Sequence, residues 1–303
     1  MAIDLAGVRA TLDIDDADLA ERTRRALDLV GVRVDTGPPR DPSAIIFRKA
    51  GHVPADYTIE APLVYVWRDG RAPAADGANN PFEDLMGRHW LGASPDLDLD
   101  VLRTTLAFAH ARRVPTFAEL LGPDAAVETT SENASSQKAA HQDRLIAFCA
   151  RHGLREVLHA PLVAAFEELF SNAIYDAPVC QEGKHTSLFT HRSTAVTSPR
   201  PVAITFGVSA TSVGIAIRDA YGSLPVVRVI EGLARGYRAG GAIFETKEGG
   251  AGLGLSMLLR GATRMVITID HGRACEIAFL RQRDERSVKF ARSCPTLNVF
   301  TVG

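Results

Sequence analysis

Cysteine is scarce in this chain: Cys149, Cys180, Cys275 and Cys294 are scattered through 303 residues without a CxxC pair. That spacing argues against a zinc site or a disulfide framework, and for buried thiols in a reducing cytoplasm. An excess of either charge is also lacking. The 34 Lys and Arg nearly balance the 36 Asp and Glu, so no long-range field draws nucleic acid or an anionic membrane, and neither is expected as a partner. No run approaches about 18 apolar residues, and the opening MAIDLAGVRATLDID has no basic-then-apolar leader pattern. A soluble, cytoplasmic protein is therefore expected. What the chain does have is a hydrophobic content of 46 %, enough for proper cores in two domains of about 150 residues each.

The first 115 residues alternate apolar runs with helical patterns: VRATLDI, LAERTRRALDLVG, VRVDT, SAIIF, PLVYVW, HWLGA and DLDVLRTTLAFAHARR. Such alternation predicts an α/β domain with a parallel sheet covered by helices. Between residues 116 and 134 the composition turns to Pro, Gly, Ser and Thr, which reads as a linker or an exposed helical connection. The segment QKAAHQDRLIAFCARHG follows as an amphipathic helix ending at Gly153. His141 on that helix reads as a surface residue.

In APLVAAFEELFSNAIYDAP the apolar residues recur at helical spacing, which puts Glu168 and Asn172 one turn apart on one side of one helix. An amide oxygen at Asn172 can take a hard cation such as Mg2+, and Glu168 can polarise a water or a hydroxyl. Alone, such a pair is more often a solvated helix face than a site. Two strands follow, PVAITFGVS and TSVGIAIRD, expected to pair antiparallel. The second runs into Asp219 and then Gly222, where a carboxylate can accept from an exocyclic amino group such as adenine's. Further on, Gly249, Gly250, Gly252 and Gly254 precede a helix opening near Leu253. Backbone N–H groups and the helix dipole there suit phosphate. The spacing is neither a dinucleotide fingerprint nor a Walker loop. Two more strands, RMVITID and EIAFLRQ, are joined across His271 and Gly272, and the tail is expected to add an edge strand.

Two resemblances follow from these residues. The run DIDDADLAERTRRALDLVGVRVD resembles the start of response-regulator receiver domains, with Asp15 and Asp16 as remnants of their acidic pair. Arg48 stands at the phosphoacceptor position, and Ser94 and Pro95 stand where a lysine and proline are usual, so a pseudo-receiver without aspartyl-phosphate chemistry is implied. An unrelated flavodoxin-like domain is the alternative. Farther along, ELFSNA, DAYG and GAGLGL, in that order, resemble the asparagine box and the two glycine boxes of the GHKL (Bergerat-fold) ATPases. Within that family the chain is most similar to the histidine-kinase and anti-sigma-factor-kinase branch.

The resemblance implies an α/β protein with an N-terminal flavodoxin-like (receiver-like) parallel sheet over residues 1–115 and a C-terminal GHKL sandwich with a mixed sheet over residues 135–303. It implies ATP and Mg2+ as ligands, with Glu168 as general base and Asn172 as the magnesium ligand. Asp219 with Gly222 would face the adenine, and Gly250, Gly252, Leu253 and Gly254 would hold the phosphates. Residues 223–249 would form the lid, with Lys247 reaching the terminal phosphate. Asp176 stands where that branch often has a histidine or lysine, and Cys275 where a threonine commonly bonds the aspartate. A signalling protein that binds Mg-ATP and phosphorylates a partner's Ser or Thr, or slowly hydrolyses ATP, is the leading expectation. A non-catalytic switch is the alternative, and a homodimer is compatible with either.

Overall fold

Five short apolar runs separated by polar turns build the first part of the sheet: β1 (Arg9–Asp13), β2 (Arg33–Asp35), β3 (Ile45–Lys49), β4 (Leu63–Trp67) and β5 (His89–Gly92). They are mutually parallel and lie in the order β2-β1-β3-β4-β5. Between β1 and β2 runs α1 (Ala17–Leu29), started by Asp16, whose carboxylate accepts the Leu19 N–H at 3.0 Å. After β5 comes α2 (Leu99–Ala111). Period-2 alternation decides what each face buries: Ile45, Phe47, Val64, Val66 and Leu91 pack with Leu19 and Leu27 of α1 and Leu102 and Leu106 of α2. The computed structural model describes residues 5, 7–35, 45–49, 63–67, 82, 88–93, 97–111, 113–178, 194–238, 253–284, 286, 290 and 293–302.

The stretch expected as a linker is built into the fold. It holds α3 (Phe117–Leu121), closed by a Thr116–Glu119 capping box, and β6 (Ala126–Ala134). β6 pairs antiparallel with β7 (Thr197–Val208), which pairs with β8 (Ser212–Asp219); β9 (Arg264–Asp270) and β10 (Ala274–Gln282) complete an antiparallel series. The tail is a second correction. Rather than an edge strand it forms β11 (Thr296–Val302), parallel to β9 on one side and antiparallel to β5 on the other. All eleven strands thereby join in one mixed sheet, β2-β1-β3-β4-β5-β11-β9-β10-β8-β7-β6.

On one face lie α4 (Lys138–Arg151), α5 (His159–Ser171), α6 (Val226–Arg238) and α7 (Leu253–Gly261). Their apolar sides bury Phe148, Phe166, Phe170, Ile230, Leu233 and Leu259 against Val213, Ile215, Ile217, Ile267 and Phe279. The same core runs on to Ile46, Tyr65 and Trp90 of the parallel strands, where Phe82 packs edge-on to Tyr237 of α6 at 5.1 Å. The halves expected as separate domains thus share both a sheet and a core. The opposite face is covered by α2 and α3, through Phe108, Phe117 and Leu121. The protein is therefore α/β, with seven α-helices among the described residues, and none of them is long and apolar enough to cross a membrane.

Candidate functional site

α5 carries the first two candidate residues, and its helical geometry changes where they sit. The regular helix ends at Ser171, and Asn172–Asp176 continue it as a π turn. Such turns widen the helix by one residue and shift the side chains around them, and they recur at functional sites. Glu168 and Asn172 are both half-buried on the rim of the helical layer, and Asp176 closes the π turn. Buried Phe166, Leu169, Phe170, Ile174 and Tyr175 hold this segment against the sheet.

α7 meets α5 at the carboxylate. A Cβ placed on Gly254 would overlap Oε1 of Glu168 and lie 2.9 Å from its Cγ, so only glycine admits the Glu168 side chain at this point. Leu253 opens α7 beside it. Gly250, Gly252 and Lys247 lie outside the described residues, as do Cys180, Ser94 and Pro95. Of the segment expected as a lid, Val226–Arg238 is helix α6, with Val229, Ile230, Leu233 and Tyr237 in the core, which makes it a docked element rather than a mobile one.

The third element is the turn after β8. Asp219 is 8 % exposed, and its Oδ1 accepts the N–H groups of Tyr221 at 2.8 Å and Gly222 at 3.1 Å. Burial pushes its carboxyl above the usual range even though these bonds act in the opposite sense. Cys275 of β10 stands directly opposite Asp219 in the ladder, and burial lifts its thiol well above the usual value, with the Asp219 charge adding to the effect. A neutral thiol beside the aspartate is the consequence.

Three anchors fix this turn: Gly222, which the sequence had already marked, and Tyr221 and Ser223, which it had not. The Tyr221 hydroxyl lies 2.8 Å from Ser198 Oγ and accepts the Arg200 N–H at 3.1 Å, tying the turn to the start of β7. Gly222 has φ +59°, and its carbonyl accepts from Gly272 N at 3.1 Å, tying it to the β9–β10 turn. The Ser223 hydroxyl donates to the carbonyl of Ala177, just past the π turn, at 2.9 Å. The run DAYGS was visible in the sequence, but the partners of Tyr221 and Ser223 lie 23 and 46 residues away.

His141 is a correction. It is buried, not on the surface: it packs near Phe166 and Phe170, with Nε2 3.5 Å from Glu132 Oε2. In the parallel half, Arg48 occupies the acidic end of the sheet, its Nε donating to Asp13 Oδ2 at 2.8 Å, while Lys49 lies 3.9 Å from Asp15. Asp16 is used as the α1 cap. Among the described residues no cluster of three or more His, Cys, Asp or Glu side chains is arranged to hold a metal. No protein-family model matches the chain, and a search of curated proteins found no match.

Proposed function

We propose that the half of the molecule built on β6 to β10 binds ATP with Mg2+ in the manner of a GHKL ATPase, and that it passes the γ-phosphoryl to a Ser or Thr of a signalling partner or, more slowly, to water. The observation that carries this reading is the contact of Gly254 with Glu168. It joins the second glycine segment to the carboxylate helix. The buried acceptor Asp219 ends β8, a strand on which α5 itself packs. Three weak motifs thus lie on mutually packed elements.

In this reading Asp219 accepts from the adenine amino group, and the N-terminal turn of α7 faces the phosphates with its N–H groups. Asn172, a single oxygen donor, suits an ion that keeps most of its shell as water and phosphate oxygens. Mg2+ held there would supply charge neutralisation. Glu168 orients the attacking hydroxyl and takes its proton as the phosphoryl group leaves ADP. In the same reading the parallel half, whose strands lie in the order β2-β1-β3-β4-β5, serves as the flavodoxin-like pseudo-receiver that docks the partner in the cytoplasm.

A second reading, a nucleotide-dependent switch without turnover, draws on the Arg48–Asp13 ion pair. A cation paired with Asp13 stands, in this reading, in the place where a receiver would bind metal and accept phosphate. The deciding experiment is incubation of the full chain with Mg2+ and γ-labelled ATP, wild type against Glu168→Ala. Label released or transferred only by wild type is the expected result; binding without turnover in both leaves the switch; no calorimetric heat with millimolar ATP or ADP defeats both.

A further inference from the structure

β6 ends the sheet without the usual protection. All of its nine residues but Asn133 pair with β7 on one side, and among the described residues nothing pairs with the other. Long edges are ordinarily blunted by Lys, Pro, bulges or brevity. AVETTSENA has neither Lys nor Pro, and its register is unbroken from Ala126 to Glu132, with irregularity only between Glu132 and Ala134. The two acidic side chains do not guard the edge either. Glu128 pairs with Arg151 of α4, and Glu132 accepts the N–H groups of Asn133 and Ala134, each at 2.8 Å, besides facing His141. Val127 is left 38 % exposed.

We infer that β6 pairs antiparallel with β6 of a second copy of this chain, about a two-fold axis through Thr129, making one continuous sheet across a homodimer. Charge selects the register. A two-fold axis normal to the sheet places residues of the same face opposite each other, so the axis must pass through a residue. An axis through Thr130 sets Glu128 against Glu132 of the second copy, and an axis through Glu128 or Glu132 sets a carboxylate on itself; like charges directly opposite oppose pairing. An axis through Ser131 draws the irregular Asn133–Ala134 stretch into the ladder. Through Thr129, Glu128 meets Thr130, Val127 meets Ser131 and Ala126 meets Glu132, all within the regular stretch. Thr129 then faces itself, and its Oγ1 already lies 3.1 Å from Oγ1 of Thr205. The axis extends that pair into a row of four threonines, a favourable cross-strand arrangement.

The test uses the full chain and needs no nucleotide, so it stands or falls apart from the proposed function. Sedimentation equilibrium at micromolar protein is expected to give a dimer, and Thr129→Lys a monomer with the wild-type far-UV spectrum and melting temperature. In a Cys180→Ser background, Thr129→Cys is expected to form a disulfide-linked dimer under mild oxidation, because directly opposed residues stand about 5 Å apart at Cα, within disulfide reach. Val127→Cys, displaced from its own copy by four residues, is expected not to link. A wild type that stays monomeric, or a dimer that survives Thr129→Lys while Thr129→Cys fails to cross-link, overturns the inference.

Discussion

Gly254 and Glu168 compete for one volume, which separates function from stability at a single position. Alanine in a helix interior ordinarily gains about 1 kcal/mol over glycine. Here the added methyl would displace a flexible carboxylate end rather than backbone. Gly254→Ala is therefore expected to leave thermal unfolding within about 1 kcal/mol of wild type while abolishing release of label from γ-labelled ATP. Asp219 behaves differently. Its carboxyl is raised by burial, so the folded state holds that proton more tightly than the unfolded chain does, and acidification does not destabilise the fold through this group. Acidification does remove the acceptor. Nucleotide affinity measured by calorimetry is expected to fall as pH drops through the elevated range, and Asp219→Asn to cost tenfold or more, about 1.4 kcal/mol, at neutral pH with no loss in melting temperature. These two residues were legible in the sequence because Asp219 leaves an apolar strand for a turn that needs a glycine, and Gly254 belongs to a glycine run at the start of a helix. His141 was not, since its burial is created by Phe166 and Phe170, 25 and 29 residues away.

At the scale of the element, the turn from Asp219 to Ser223 is held at three ends, and Gly222 is its tightest point. With φ +59° and a Cβ that would overlap the Asp270 carbonyl and lie 2.7 and 2.8 Å from Ala274 N and Arg273 N, Gly222→Ala strains backbone on both sides. A loss of about 2–4 kcal/mol in denaturant unfolding is expected, in contrast to the mild cost at Gly254. Alternation made β7 readable, and near-continuous apolar runs did the same for β8 to β10, which are packed on both faces, by the four-helix layer on one side and by α2 and α3 on the other. β6 was not readable: at an edge with little burial on either face, AVETTSENA shows no hydrophobic period and takes its conformation from β7. The π turn has no sequence signal either. Within it Tyr175 packs into the core, and the Ala177 carbonyl just past it accepts from the Ser223 hydroxyl.

Across the whole molecule, composition and alternation settled the class of fold, and the joining of its parts remained hidden. TLNVFTV reads as a short strand anywhere; only the completed sheet places it between β9 and β5. That junction carries a buried polar group set. His89 lies opposite Asn298, which accepts from Arg264 Nε at 2.9 Å, and Thr105 of α2 lies 3.4 Å from the same Asn298 oxygen. Burial first, then the charges of Arg264 and Arg88, lower His89 from 6.5 to about 3, so it is neutral in the fold while the unfolded chain takes up a proton below about pH 6.5. Stability from this group is complete above that pH and is lost as pH falls toward 3, by about 2 kcal/mol at pH 5. His89→Gln is expected to flatten that part of the acid limb in denaturant titrations at pH 7 and pH 5.

β11 also sets a timetable. The strand that closes the sheet follows, in chain order, every strand it joins, so on the ribosome β1 to β5 must wait with β5 exposed until more than 200 later residues have been made. A nascent chain halted just before Thr296 is expected to be captured by chaperones and to clump on release, whereas one extended past Val302 escapes both.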